Sequence, residues 1–99
     1  MVKIKSYLGL SVKSGAVVIG QDKLKGFKKS VHLIVVSPNA TQNLIDLSVR
    51  LKQKFGCECI KTNTLLEELI NIAGCKIVGL TNNSLAQAVL TQSDEYTRI

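Results

Sequence analysis

Few side chains in this chain could do chemistry, and their spacing narrows the choice further. The cysteines are Cys57, Cys59 and Cys75, and the one histidine is His32. Cys57-Glu58-Cys59 has the outline of a metal pair, but zinc sites want two such pairs, or histidines at matching spacing. His32 lies inside an apolar run. It therefore reads as a core or edge residue, and the cysteines read as small buried hydrophobes in a strand. No serine or threonine has a histidine placed near it. Glu67 and Glu68 fall on an exposed helix turn, where Thr64-Leu65-Leu66-Glu67 has the pattern of a capping box. There is no P-loop and no Gly-x-Gly-x-x-Gly. The catalytic, metal and cofactor constellations that an enzyme needs are not found, so the expectation is a protein without catalytic activity or cofactor.

Binding chemistry remains, and it centres on residues 8 to 22. Two glycines, Gly15 and Gly20, bracket the short run Ala16 to Ile19. Gly20 sets a bare backbone where a helix should open, and glycine lets another backbone approach closely. Backbone N–H groups at such a junction can meet phosphate oxygens. Gln21 and Asp22 add an amide and a carboxylate that could read base edges. Lys13, Lys23, Lys25, Lys28 and Lys29 would supply salt-sensitive attraction to a polyanion.

Charge supports the same region. Residues 1–29 hold seven lysines against Asp22 alone, whereas the remaining residues balance six basic against six acidic side chains. The whole net charge of +6 therefore belongs to the N-terminal segment. An asymmetry of this kind attracts polyanions. Nothing in the chain reads as a helix-turn-helix, zinc finger or basic zipper, so RNA is favoured over duplex DNA. Tyr7, Phe27, Phe55 and Tyr96 are the only aromatics and Phe55 reads as core, which argues against a stacking platform. A bulge or loop with exposed base edges is the RNA target that fits. The odd cysteine count and the lack of a signal-peptide core point to a cytoplasmic protein without a disulfide framework. No apolar run approaches a membrane span.

The elements that must position this junction follow from periodicity. Ile4, Tyr7, Leu8 and Val12 recur at helical spacing, so a first helix is expected over 3–14, with Gly15 at its C′ position. Val17 to Ile19 reads as a short strand, and a weak helix should follow from Gln21 to about Lys28. Val31 to Val36 reads as a strand covered on both faces. Asn39 is the expected N-cap of a third helix carrying Leu44, Leu47, Leu51 and Phe55 and ending at Gly56. Cys57 to Ile60 is the third strand. A fourth helix begins at the capping box, buries Leu65, Leu66, Leu69, Ile72 and Ala73, and stops at Gly74. Ile77 to Leu80 is the fourth strand, and Asn82 or Asn83 caps a fifth helix. The alternation predicts an α/β fold, a three-layer α-β-α sandwich around one central four-stranded mixed sheet. It comprises a single domain over 1–92, followed by a polar, frayed C-terminal tail over 93–99.

Five segments in this order resemble the kink-turn-binding ribosomal protein family, L-seven-Ae/L-thirty-e, and most of all its small bacterial ribosomal-protein-like members. Leu8-Gly-Leu-Ser-Val-Lys-Ser-Gly15 is similar to the family's opening Leu-Gly-Leu-Ala-x-Arg-Ala-Gly. Val18-Ile19-Gly20 is similar to its strand and glycine leading to the RNA site. Val35-Val-Ser-Pro-Asn-Ala-Thr-Gln-Asn43 is similar to its strand followed by Asp-Ala-Ser-x-Asn. Glu68-Leu69 to Ala73-Gly74 is similar to its Glu-Leu-Gly-x-Ala-x-Gly helix, and Ile77-Val-Gly-Leu-Thr-Asn82 to its last strand and cap. The resemblance covers roughly residues 7 to 92. It implies an α-β-α sandwich that binds structured RNA, often a kink-turn, within ribosomes or ribonucleoproteins. It also implies that Gly20, Gln21, Asp22 and Lys23 contact the RNA, with a second contact from Gly74, Cys75 and Lys76. Where the family's strong readers carry Gly-x-Asn-Glu-x-x-Lys, this chain has Gly20-Gln-Asp22-Lys23-Leu-Lys25-Gly26. The second loop is expected to be short, running straight into Ile77. Two alternatives use the same fold: a protein-interaction adaptor drawn to an acidic partner, and a detached substrate-binding domain like those attached to RNA methyltransferases.

Overall fold

The structure is a computed structural model and describes residues 3–99, so the first two residues of the domain expected over 1–92 lie outside it. The elements in chain order are α1 (Lys3–Lys13), β1 (Val17–Ile19), α2 (Gln21–Gly26), β2 (Leu33–Val36), α3 (Gln42–Phe55), β3 (Glu58–Thr62), α4 (Leu66–Ile70), β4 (Ile77–Leu80), α5 (Asn83–Leu90) and β5 (Tyr96–Arg98). One mixed sheet runs through the centre in the order β1-β4-β2-β3-β5. Only β2 and β3 are parallel, joined by the α3 crossover. The other neighbours pair antiparallel.

Strand alternation divides the core in two. Leu33 and Val35 of β2, with Val78 and Leu80 of β4, face α1, α4 and α5. Ile34 and Val36, with Val18 and Ile77, face α2 and α3. The expected three layers are therefore present. Gly79 sits on the α2 face of β4, where a Cβ would come within 2.6 Å of a Leu24 methyl and 3.0 Å of a Val31 methyl. A side chain there would force the buried Leu24 side chain of α2 to shift. The central strands are apolar on both faces because both faces are covered. Among the described residues no helix is long and apolar enough to cross a membrane.

Four expectations need correction. The sheet has five strands, since the tail expected to fray forms β5 against β3. Tyr96 is 6 % exposed, and its hydroxyl donates to Leu90 O at 2.6 Å. Glu95 accepts from the first two described N–H groups of α1, at Lys3 (3.2 Å) and Ile4 (3.3 Å), so the tail also caps a helix. Secondly, α3 is capped by Thr41, whose Oγ1 accepts from Leu44 N, and not by Asn39. Thirdly, the capping box at Thr64 does not form. Leu66 N donates instead to Ser37 Oγ at 3.0 Å, and Glu67 turns to the Gly74 N–H at 2.8 Å. Fourthly, α4 ends at Ile70, one turn before Gly74. Asn71 closes it in the left-handed region (φ 59°), and Ala73 is exposed rather than part of a buried stripe.

Candidate nucleic-acid interface

Gly20 joins β1 to α2 with φ 93° and ψ 153°, a region open essentially to glycine alone. Its N–H donates to Ile77 O at 3.1 Å and its carbonyl accepts from Leu24 N at 3.2 Å, so sheet and helix meet at this one residue. Among the described residues, none beyond its chain neighbours comes within 4 Å of where its Cβ would be. Leu24, fully buried, anchors the six-residue α2 and leaves Gln21, Asp22, Lys23 and Lys25 exposed. A helix this short carries little macrodipole, so attraction for an anion must come from the lysines.

The opposite wall is the loop 71–76. Gly74 adopts φ 77°, again with open space beside its Cα. The loop is pinned by Gly74 N to Glu67 Oε2, Cys75 N to Ile72 O (3.3 Å) and Ser37 N to Lys76 O (2.9 Å). The early end of α4 makes this loop longer than the short one expected. Asn71 is the residue whose type signals that end, because asparagine tolerates the left-handed region better than other side chains.

Between the walls runs a groove of about 520 Å³. Gly20, Gln21, Asp22 and Lys23 line one side, and Gly74, Cys75 and Lys76 the other. The fold thus brings seven of the nine candidate RNA-binding residues together. Lys13, the exposed last residue of α1, and Lys25, whose carbonyl accepts from Lys54 Nζ at 2.6 Å, do not line it. Cys75 contributes backbone only: its side chain is 7 % exposed, and its Sγ donates to Ile77 O at 3.6 Å. Burial pushes its thiol pKa up, so it stays protonated and unreactive. Leu44, Ile72 and Ala73 also line the groove, although periodicity alone places all three on buried helix stripes.

A second groove, of about 1050 Å³, lies on the other side of α2 and shares Ile19, Asp22 and Lys23 with the first. Lys28 and Lys29 line it, with Asp22 its one acidic residue. Cys59 is buried in β3 and Cys57 half-buried beside it, while His32 extends the ladder by donating its N–H to Leu80 O at 2.8 Å. Among the described residues no group of three or more His, Cys, Asp and Glu side chains is placed to hold a metal ion.

No family model and no curated protein matches the chain. Among solved structures it is similar to a protein of unknown function from Bacillus halodurans, at a TM-score of 0.80 and 16 % identity, over 96 % of this chain and 100 % of that one. That likeness establishes the fold, an α/β sandwich, and says nothing further about activity.

Proposed function

We propose that the chain is a non-catalytic, cytoplasmic RNA-binding protein, a ribosome-associated or ribonucleoprotein component that seats structured RNA in the groove between Gly20–Lys23 and the loop 71–76. One observation carries the reading: two positive-φ glycines with open space beside them, Gly20 and Gly74, stand on opposite walls of a single groove, each on a wall that also carries an exposed lysine, Lys23 or Lys76. Bare backbone lets a nucleic-acid strand come close, and the lysines neutralise its phosphates. Gln21 and Asp22 offer an acceptor and donor set for base edges. The resemblance to kink-turn binders supports the choice of a sharply bent RNA as ligand.

Gel shift with a kink-turn RNA and a plain duplex of the same length, combined with amide chemical-shift mapping, tests this. The expected result is tighter binding of the kinked RNA, shifts centred on Gly20 and Gly74, and a log K that falls by about 0.7–0.9 per phosphate contact with log salt. Affinity no better than about millimolar at low salt, or a flat salt dependence, would overturn it.

A further inference from the structure

We propose that the larger groove beside β1 is a second binding site, for an extended acidic peptide that joins the sheet as a sixth strand. β1 is an edge strand, paired on one side only, with β4. The bonds Thr81 N to Ala16 O (3.0 Å) and Gly20 N to Ile77 O (3.1 Å) set the phase of that ladder. Antiparallel pairs alternate between bonded and non-bonded. The bonded pairs are therefore Ala16–Thr81, Val18–Gly79 and Gly20–Ile77, and the N–H and C=O of Val17 and Ile19 turn away from β4 to the open edge. None of those four groups finds a partner among the described turn, loop and cap bonds.

Natural edges are often blunted by charge, and the strand at the other edge of this sheet, β5, carries the exposed ion pair of Arg98 with Glu58 at 2.7 Å. The β1 edge instead opens into the groove of about 1050 Å³, with Phe27 half-buried in its wall. Strand addition draws affinity from backbone pairing and specificity from flanking side chains. Here the flanking charges are Lys23, Lys28 and Lys29 against Asp22. A second copy of this chain is disfavoured as occupant, because pairing β1 with β1 would set those lysines against each other. An acidic strand has the complementary charge. This site is separate from the RNA groove except at Ile19, Asp22 and Lys23, so the two proposals can fail independently.

The probe is a peptide of about eight alternating valine and glutamate residues, long enough for one strand, titrated into the isotope-labelled protein. The expected result is saturable binding with the Val17 and Ile19 amides shifted and protected from exchange, and an affinity about tenfold or more weaker for Lys28→Glu/Lys29→Glu. Val17→Pro deletes an outward donor without touching the β4 ladder, as edge strands tolerate, and should weaken binding likewise. A valine–lysine peptide binding equally well, or peptide binding that leaves Val17 and Ile19 unprotected, would overturn the proposal. So would no binding at millimolar peptide, or a uridine oligonucleotide protecting those two amides in the peptide's place.

Discussion

Gly20 carries two duties that no other side chain could share. Its backbone lies where L-residues pay about 1–3 kcal/mol, and the space beside it is open on the groove. Gly20→Ala should therefore lower the urea unfolding free energy by about 1–3 kcal/mol and also weaken RNA binding, because the new methyl points into free space rather than into the core. A variant that unfolds like wild type would show that this junction relaxes at no cost. The cysteines offer a second residue-scale test. Burial, reinforced by the neighbouring Cys59 and Glu58, pushes the Cys57 thiol from an ordinary 9.0 up to about 11. The folded state thus holds a proton that the unfolded chain has already released between those values. Stability is fully present below pH 9 and falls as pH rises through 11. Alkylation of the native protein should stay slow at pH 8–9 and accelerate only toward pH 11, while urea-unfolded protein reacts readily about two units lower. Fast alkylation of Cys57 at pH 8 in the native state would contradict the burial that sets its pKa.

Several elements here are held by partners distant in sequence, and these account for what sequence reasoning missed. The regular strands and α3 were legible because their periodicity, glycine stops and apolar runs are local signals. The tail was not. Ser93 to Ile99 is polar by composition, yet Tyr96 joins the core cluster that α1, α4 and α5 form on one face of the sheet, and Glu95 caps α1 across the molecule. The capping box at Thr64 failed for the same reason. Ser37, at the end of β2, supplies the bond to Leu66 that a local cap would have made, and this frees Glu67 to fix the groove loop. Helix periodicity continues through Ile72 and Ala73, whereas Asn71 ends the helix, so both lie in the loop. β5 gives the element-scale prediction. Tyr96→Ala should cost about 3 kcal/mol, the amount typical of removing a buried aromatic. Tyr96→Phe, losing only the bond to Leu90, should cost about 1 kcal/mol. A frayed tail would give near zero for both, so the pair of urea midpoints decides between the two descriptions.

At the scale of the whole molecule, the N-terminal concentration of charge resolves into two patches. Lys3, Lys5 and Lys13 belong to α1 on one face of the sheet. Lys23, Lys25, Lys28 and Lys29 surround α2 on the other, joined by Lys54 of α3. Lys54 bonds the Lys25 carbonyl and lies 5.0 Å from the Phe55 ring, which meets Phe27 edge-on at 6.4 Å. The sequence could show the excess of lysine but not its division, because the sheet that separates α1 from α2 is built mainly from later residues. The molecule is 24 Å across in its thinnest direction, more than twice the Debye length of about 10 Å at 0.1 M salt. If the groove holds the RNA, Lys3 and Lys5 at the start of α1 add only screened, general attraction. Lys23→Ala/Lys76→Ala, which removes the groove's two lysines, should reduce the slope of log K against log salt by about 1.4–1.8. Lys3→Ala/Lys5→Ala removes the same charge from the far face and should leave that slope unchanged. Net charge falls equally in both variants, so a difference between them isolates the groove from general attraction. Equal losses would mean that the RNA is held by the overall field of the protein, and the groove reading would then fail.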